Sequence, residues 1–525
     1  MPELVQQSRK RQRSVKPGSV HPYAIPPSLS LQMVSHPLGV RPAGNLFLAG
    51  DKAAEQLHRS MGDFAAFPEE LIMQIVEELD SVRDLISLMK SSRFFYAFTS
   101  FDELWKQMYL KGQTFDRWRG SWKTSILRTS QTLVDCSIVH SDLLFVPYQN
   151  SHVDYHKLFE PIIADETRRQ SEVLDAANDI PYTGSIPRVS ESSLTPERFA
   201  SSFHDRPFIL KSKNPARWPN WTLDTLSQRF QDVSFRQECV DWPLRLYTEY
   251  CANNLDESPL YLFDCNSEAM QQLKNEFARP AVFSDDMFDV FTRHGLSCRP
   301  DHTWLIMGPH RSGSTFHKDP NNTSAWNTVL DGSKLWIMLP PHVTPPGVHT
   351  NEDESEVTSP LGLAEWVLSG FFNDTLKIAR EEPRCTIGIT FPGECIHVPA
   401  GWWHMVINLE DSVALTANFV PECKLEEVAR FFRDKPDQIS GFHAATVLEF
   451  VRKCVDAGEM DTEILRQVGE VDSNEDVGES GVELPIYDIF HRLLQLNGRE
   501  LKQPKNAWKT LTQQATGFKF AMDFE

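Results

Sequence analysis

The chain has 525 residues, of which 41% are hydrophobic and 24% charged, an ordinary composition for a folded globular protein of three to four domains. Its formal charge of −20 argues against DNA, RNA or an anionic membrane as the main partner and favours basic protein segments. No window holds the ~18 unbroken apolar residues of a membrane span, and nine cysteines without a C-x-x-C pair argue against a disulfide framework or a cysteine zinc site.

The opening MPELVQQSRKRQRSVK lacks an apolar signal-peptide core, so no secretory leader is expected. Residues 1–62, rich in Pro, Ser, Gln and Arg, read as a disordered basic tail. Arg9, Lys10, Arg11, Arg13 and Lys16 form a cluster suited to nuclear import, which makes the nucleus the expected location, with the cytoplasm second. A solvated basic tail explains the cluster equally well.

From 63 to 112 the pattern becomes helical. Pro68 with Glu69 and Glu70 marks a first turn, and Leu71, Ile72, Ile75, Val76 and Leu79 follow at helical spacing. A second helix carries Leu85, Ile86, Leu88 and Met89, and a third runs through Phe94, Phe95, Phe98, Leu104 and Trp105, which predicts a small three-helix bundle. The stretch FPEELIMQIVEELDSVRDLISLMKSSRFFYAFTSFDELWKQMYLK resembles an F-box. That resemblance implies docking on a Skp-type adaptor of a cullin–RING ubiquitin ligase through Phe67, Pro68, Leu71, Ile75 and Leu85. A plain helical packing module, with these side chains in its core, is the competing reading.

Residues 113–185 read as a linker and mixed helical segment, and 186–425 as a strand-rich domain: RPFILK, SPLYLFD, HTWLIMG, SKLWIML, RCTIGITF, ECIHVPAGWWHMVINL and SVALTANFV are short apolar or alternating runs between turn signals. Helices are expected over 223–230 and 267–277, and an exposed acidic loop over 349–357. Residues 426–525 turn helical around an acidic break, VGEVDSNEDVGES.

Two histidines and one carboxylate on one face of an iron ion leave three positions open for co-substrate and oxygen. On a strand this motif reads H-x-D, because residues i and i+2 share a face. The bare tripeptide is weak evidence, since chance supplies about one in a chain with 17 His, and three occur. His140/Asp142 and His152/Asp154 precede the strand-rich region and read as surface loops. His317/Asp319 sit between a Gly/Ser-rich lead-in and an apolar strand carrying Lys334. The distant histidine comes from PGECIHVPAGWWHMVINL, where His404, beside Trp402 and Val406, is favoured over His397, which reads as a partly buried structural histidine. Thr416 and Asn418 share a face of the last strand.

The segment from 187 to 420 resembles a JmjC (Jumonji C) domain, in the branch of bifunctional arginine demethylases and lysyl-hydroxylases once called phosphatidylserine receptors. SPLYLFD, FSDD, WLIMGP, RSGSTFHKDP, SAWN, GSKLW, PGE, VPAGWWHMVINL and ALTANF carry the resemblance, in order. It implies an α+β chain: a double-stranded β-helix, or cupin jelly roll, with flanking helices, behind the F-box. It further implies Fe(II) on His317, Asp319 and His404, and 2-oxoglutarate held by Lys334 and Thr416, with Asn327, Asn418 and Ser314 lining the pocket. Ser314 stands where relatives usually carry Thr and keeps the hydroxyl. Tyr247 or Tyr250 supplies a further hydroxyl, and His310 replaces the second proline of a usual Pro-Pro pair, a place suited to substrate selectivity. The implied function is an Fe(II)/2-oxoglutarate dioxygenase that hydroxylates lysine or demethylates arginine or lysine in a basic protein. A ubiquitin-ligase receptor without catalysis and an RNA-directed oxygenase are the alternatives.

Overall fold

The computed structural model describes residues 21–26, 36–45, 51–131, 134–145, 153–359, 362–469 and 484–497. The basic cluster at 9–16, His152 and most of the acidic break at 468–480 lie outside the described residues.

Eight strands form the expected double-stranded β-helix: β1 (Thr303–Gly308), β2 (Gly313–His317), β3 (Ser324–Asp331), β4 (Lys334–Leu339), β5 (Thr386–Thr390), β6 (Glu394–Val398), β7 (Trp403–Asn408) and β8 (Ser412–Phe419). They divide between two antiparallel sheets, ordered β6-β3-β8-β1 and β2-β7-β4-β5, with every step crossing from one sheet to the other except β4 to β5. Short strands at both edges extend the first sheet to ten, from Val173–Leu174 on one side to Val240–Pro243 on the other. The sheet thus starts ahead of the boundary expected at 186.

Alternation sets which residues face inward. On β4, Trp336 and Met338 join Ala325, Ile396 and Val406 inside the barrel. Leu335, Ile337 and Leu339 face the other way and pack with Trp366, Phe372 and Leu376 of the covering helices Leu363–Leu368 and Phe371–Glu381. Both faces of β4 and β7 are therefore buried, which explains their unbroken apolar character.

The F-box region has four helices rather than three: α1 (Glu69–Glu77), α2 (Val82–Met89), α3 (Arg93–Thr99) and α4 (Asp102–Leu110). The expected third helix breaks at Ser100–Phe101, where Trp105 Nε1 donates to the Thr99 carbonyl at 2.7 Å. Ile72, Val76, Leu85, Phe94, Phe98 and Trp105 are buried. Leu71 and Ile75, one turn apart on α1, are each 38% exposed, and Phe67, just ahead of the helix, is 45% exposed, while Leu110 at the end of α4 is the other large apolar side chain left outside among the described residues of this region. Leu85, expected on the docking surface, is 0% exposed and belongs to the core.

The domain plan needs three further corrections. The tail drawn over 1–62 includes a helix, Asp51–Met61, and buried contacts by Ile25 and Val40. The linker drawn over 113–185 is ordered where described, with helices Trp122–Leu127 and Glu160–Arg169. It also joins the F-box to the barrel: Trp118, Trp122 and Trp242 pack, tilted or edge to face, in one cluster with Tyr109 and Phe115, and Trp242 Nε1 donates to the Tyr109 hydroxyl at 2.8 Å. One continuous core runs from Val76 and Leu85 through these rings to Leu415 and Phe419, so the F-box and the barrel do not have separate cores. After β8 comes α5 (Leu425–Asp434), and further helices follow at Ala444–Asp456, Thr462–Gly469 and Ile486–Leu496, as expected for the C-terminal region. All nine cysteines are free. Among the described residues no helix is long and apolar enough to cross a membrane.

Candidate active site

The metal-binding chemistry of the site begins with a bulge. On β2, Ser314 pairs with Val406 while His317 pairs with His404, so three steps on β2 match two on β7. The extra residue turns both Ser314 and His317 toward the interior, which strict alternation forbids. β2 ends at His317; Asp319 then takes an extended conformation and leads into Pro320, so it reaches the site from just beyond the strand. The ligand atoms of His317, Asp319 and His404 lie within 4.8 Å of one another.

The two histidines are oriented for a metal. His317 Nδ1 lies 2.8 Å from the Thr315 carbonyl and His404 Nδ1 lies 3.1 Å from the Trp402 carbonyl. A carbonyl only accepts, so each Nδ1 carries the hydrogen and each Nε2 keeps its lone pair free. Burial, and secondarily the nearby His317, holds the His404 imidazole well below its usual range, in the neutral form a ligand requires. Burial pushes the Asp319 carboxyl up, and its Oδ2 is buried with no hydrogen-bond partner. An unpartnered buried carboxylate oxygen beside two free imidazole nitrogens fits a divalent cation. Asn418 hydrogen-bonds to the Asp319 side chain and donates to Thr323 Oγ1 at 2.8 Å, which fixes the carboxylate.

A second polar group occupies the other end of the barrel. Lys334 is 0% exposed, and its Nζ donates to the Tyr261 hydroxyl at 2.7 Å, Asn408 Oδ1 at 2.7 Å and Ser412 Oγ at 2.9 Å. None of these partners is a carboxylate, and burial pushes the ammonium down to about 7. A buried cation without a counter-charge fits the distal carboxylate of a dicarboxylic co-substrate. Thr416 faces Asn327 across β8 and β3, donating to the Trp326 carbonyl at 2.9 Å, and Asn327 Oδ1 is buried without a partner. Lys334, Thr416, Asn327, Ser314 and Asn418 therefore all sit on strands or loops that face the interior.

Tyr247 does not. It lies on the helix Leu244–Ala252 outside the barrel, and its hydroxyl is spent on the Leu260 and Met307 carbonyls, both at 2.9 Å. Tyr250 is bonded to Asp256. The inward phenol is Tyr261, and the signal for it was the alternation in Leu260-Tyr261-Leu262-Phe263, whose leucines pack outside. Gly308 makes room for it: a side-chain carbon there would collide with the Tyr261 ring. Asn408 and Ser412 were likewise missed.

The rejected histidines have structural roles. His397 is fully buried on the outer face, among Phe199, Phe208 and Phe283, with Nδ1 3.1 Å from the Arg206 carbonyl. His140 is buried rather than on a surface loop, while Asp142 accepts from the Ala43 N–H at 2.8 Å. Asp154 caps the turn Tyr155–Leu158. His310 bonds to Asp411 and lines a cavity of about 450 Å³ with Asn408, apart from the cleft over the metal ligands.

That cleft, of about 630 Å³, is lined by His317, Asp319, Trp403, Glu354, Glu427 and Asp434 among others. The acidic stretch at 349–357 forms its rim as a hairpin, with His349–Thr350 paired to Val357–Thr358.

Residues 201–424 match the cupin-like domain family, and residues 64–111 match the F-box-like family. Arginine-specific demethylase JMJ22 of Arabidopsis thaliana is 32% identical over 421 residues, covering 78% of this chain and 78% of that protein. The bifunctional arginine demethylase and lysyl-hydroxylase psr-1 of Caenorhabditis elegans is 33% identical over 270 residues, 47% of this chain and 64% of that protein. The 2-oxoglutarate and iron-dependent oxygenase JMJD4 of Mus musculus is 27% identical over 211 residues, 39% of this chain and 46% of that protein. A jelly roll with a two-histidine, one-carboxylate cluster, a buried lysine at its far end and a helical module welded to its side thus places the chain in the JmjC family of cupin-like proteins, in a form that carries an F-box-like domain.

Proposed function

We propose that the protein is an Fe(II)- and 2-oxoglutarate-dependent dioxygenase that hydroxylates lysine, or demethylates arginine or lysine, in basic protein segments. The observation that carries this reading is the pairing of the His317/Asp319/His404 cluster with the uncompensated buried Lys334 in one barrel. His317, Asp319 and His404 would hold the iron; Lys334, helped by Thr416 and Tyr261, would hold the distal carboxylate of 2-oxoglutarate, with Ser314, Asn327 and Asn418 alongside. The bound pair supplies oxidation of an unreactive C–H bond by O2, with 2-oxoglutarate leaving as succinate and CO2 and one oxygen atom entering the substrate. The residues do the rest. Trp336, Met338 and Val406 keep water from the interior, and the backbone carbonyls of Thr315 and Trp402 hold both imidazoles in one tautomer. Hydroxylation of an N-methyl carbon releases formaldehyde, so one site performs both reactions.

The exposed stripe of Phe67, Leu71 and Ile75 favours a second role, docking on a Skp-type adaptor. A complete metal cluster favours an enzyme over a receptor that only binds. The basic cluster at 9–16 supports a nuclear location. Mass spectrometry of basic peptide libraries, after incubation with iron, ascorbate and 2-oxoglutarate, tests the enzymatic reading: a gained oxygen or a lost methyl group supports it. Unaltered peptides together with no 2-oxoglutarate consumption would refute it.

A further inference from the structure

A cation already sits at the mouth of the cleft. Lys318, between the ligands His317 and Asp319, places Nζ 4.6 Å above the centre of the Trp403 ring and 2.5 Å from Glu354 Oε2. Trp403 precedes His404 on β7; it is 2% exposed, lines the cleft, and its indole Nε1 has no hydrogen-bond partner. Glu354 sits at the tip of the rim hairpin with a left-handed φ of 61°, a conformation that a glutamate holds only when its surroundings impose it. Those surroundings reach across the cleft: beyond α5, Lys435 Nζ and Gln438 Nε2 both donate to the Asp353 carbonyl. The hairpin is thereby strapped from the barrel to the C-terminal helices, with Glu354 held over the metal side of the cleft.

We propose that Glu354 and Trp403 form the subsite for a cationic side chain of the substrate, and that Lys318 is its resident occupant, displaced when substrate enters. The inference rests on the oxygenase reading and adds where and how that substrate is selected. A carboxylate beside an indole face is a natural seat for a guanidinium or ammonium group. The Lys318 and Glu354 side chains are only 20% and 36% exposed, so their attraction is less screened than that of a surface pair. An incoming arginine replaces the charge of Lys318 one for one and adds a second, parallel hydrogen bond to the carboxylate, while Lys318 swings into water. A neutral side chain offers no exchange and leaves Lys318 in place. The resident lysine therefore acts as a filter against uncharged residues.

Calorimetric titration of the full chain, without iron, separates the outcomes. The probes are a Gly/Ser peptide carrying arginine and the same peptide carrying citrulline. The arginine peptide should bind about tenfold more tightly to the natural protein, from one charge-assisted bond. Glu354→Gln should level the two peptides, and Glu356→Gln, exposed on the same hairpin, should keep the full preference. Lys318→Met should tighten the arginine peptide several-fold, because nothing has to be displaced. Equal binding of both peptides to the natural protein would overturn the proposal. So would equal loss of both peptides in Glu354→Gln, or weaker arginine binding in Lys318→Met, either of which makes the ion pair a clasp for the hairpin. Arginine selection without any 2-oxoglutarate consumption would refute the oxygenase reading and leave the subsite standing; turnover with no charge preference would do the reverse.

Discussion

Lys334 donates to the phenol of Tyr261 at 2.7 Å, and the two residues belong to opposite walls of the barrel. Tyr261 leads into the short strand Leu262–Asp264 beside β1, while Lys334 opens β4. The bond therefore ties the two walls of the barrel together at its deep end, around an ammonium that none of its three hydrogen-bond partners balances.

Removing that charge should be felt by the co-substrate and hardly by the metal. Lys334→Ala is expected to raise KM for 2-oxoglutarate between about tenfold and a hundredfold, the value of a charge-assisted hydrogen bond of roughly 1.5–3 kcal/mol. Tyr261→Phe should raise it by about fivefold, as for one neutral bond. Titrations of 2-oxoglutarate and iron against each variant check this. A defect in iron dependence alone would remove Lys334 from the clamp.

The depressed ammonium predicts a pH profile. In the free protein Lys334 titrates at about 7, and an arriving carboxylate stabilises its charged form. Below that pH the lysine is already charged and KM for 2-oxoglutarate should be flat. Above it, binding must take up a proton, so KM should climb toward tenfold per pH unit. Lys334→Arg, charged throughout, should flatten the profile over roughly pH 6 to 9. A natural protein with constant KM across that range would contradict the assignment.

Metal binding should follow the cluster and its supports. His317→Ala and Asp319→Ala are expected to abolish both turnover and manganese binding. Asn418→Ala, which frees the Asp319 carboxylate, should weaken manganese binding between about tenfold and a hundredfold, the usual effect of losing a ligand's hydrogen-bond partner. Asp142→Ala, in the first H-x-D, should change neither. Electron paramagnetic resonance of bound manganese reads all four, and loss of signal in Asp142→Ala would reopen the choice of site.

The F-box separates surface from core. Leu71→Asp with Ile75→Asp alters only half-exposed side chains, so it should remove adaptor co-purification while leaving Tm and 2-oxoglutarate turnover near those of the natural protein. Leu85→Ala is different: a cavity there costs about 2–5 kcal/mol. Because Leu85 belongs to the core that continues into the barrel, the oxygenase half should lose stability with it. Two separate calorimetric transitions, with only one shifted by Leu85→Ala, would show that the halves unfold independently.

The parts of this chain that could be read from sequence are those governed by short-range rules. Alternation in ALTANF placed Thr416 and Asn418 on one face, and the context of His317, Asp319 and His404 named a cluster that the barrel brings together. Long-range packing was less legible. The bulge between Ser314 and His317 has no signature of its own, since it depends on the register against β7. Tyr247 and Tyr250 were the tyrosines considered, and Tyr261 was passed over, because nothing local shows that the helix Leu244–Ala252 lies outside the barrel. The join between F-box and barrel rests on Trp118, Trp122 and Trp242, and the last of these is more than a hundred residues from the first. Leu85 resembled a docking residue because an amphipathic pattern marks an apolar face without saying what covers it.

The aromatic weld around Tyr109 and Trp242 makes the chain a ruler. A flexible tether would let an adaptor on the Phe67–Leu71–Ile75 stripe drift through a wide volume relative to the cleft. Here rings packed edge to face set the distance and bearing instead. Whatever is captured at the cleft would thus be presented to an adaptor-bound machine from one angle. The segment that is reached would be chosen by its height above the cleft floor, with no search by a swinging arm.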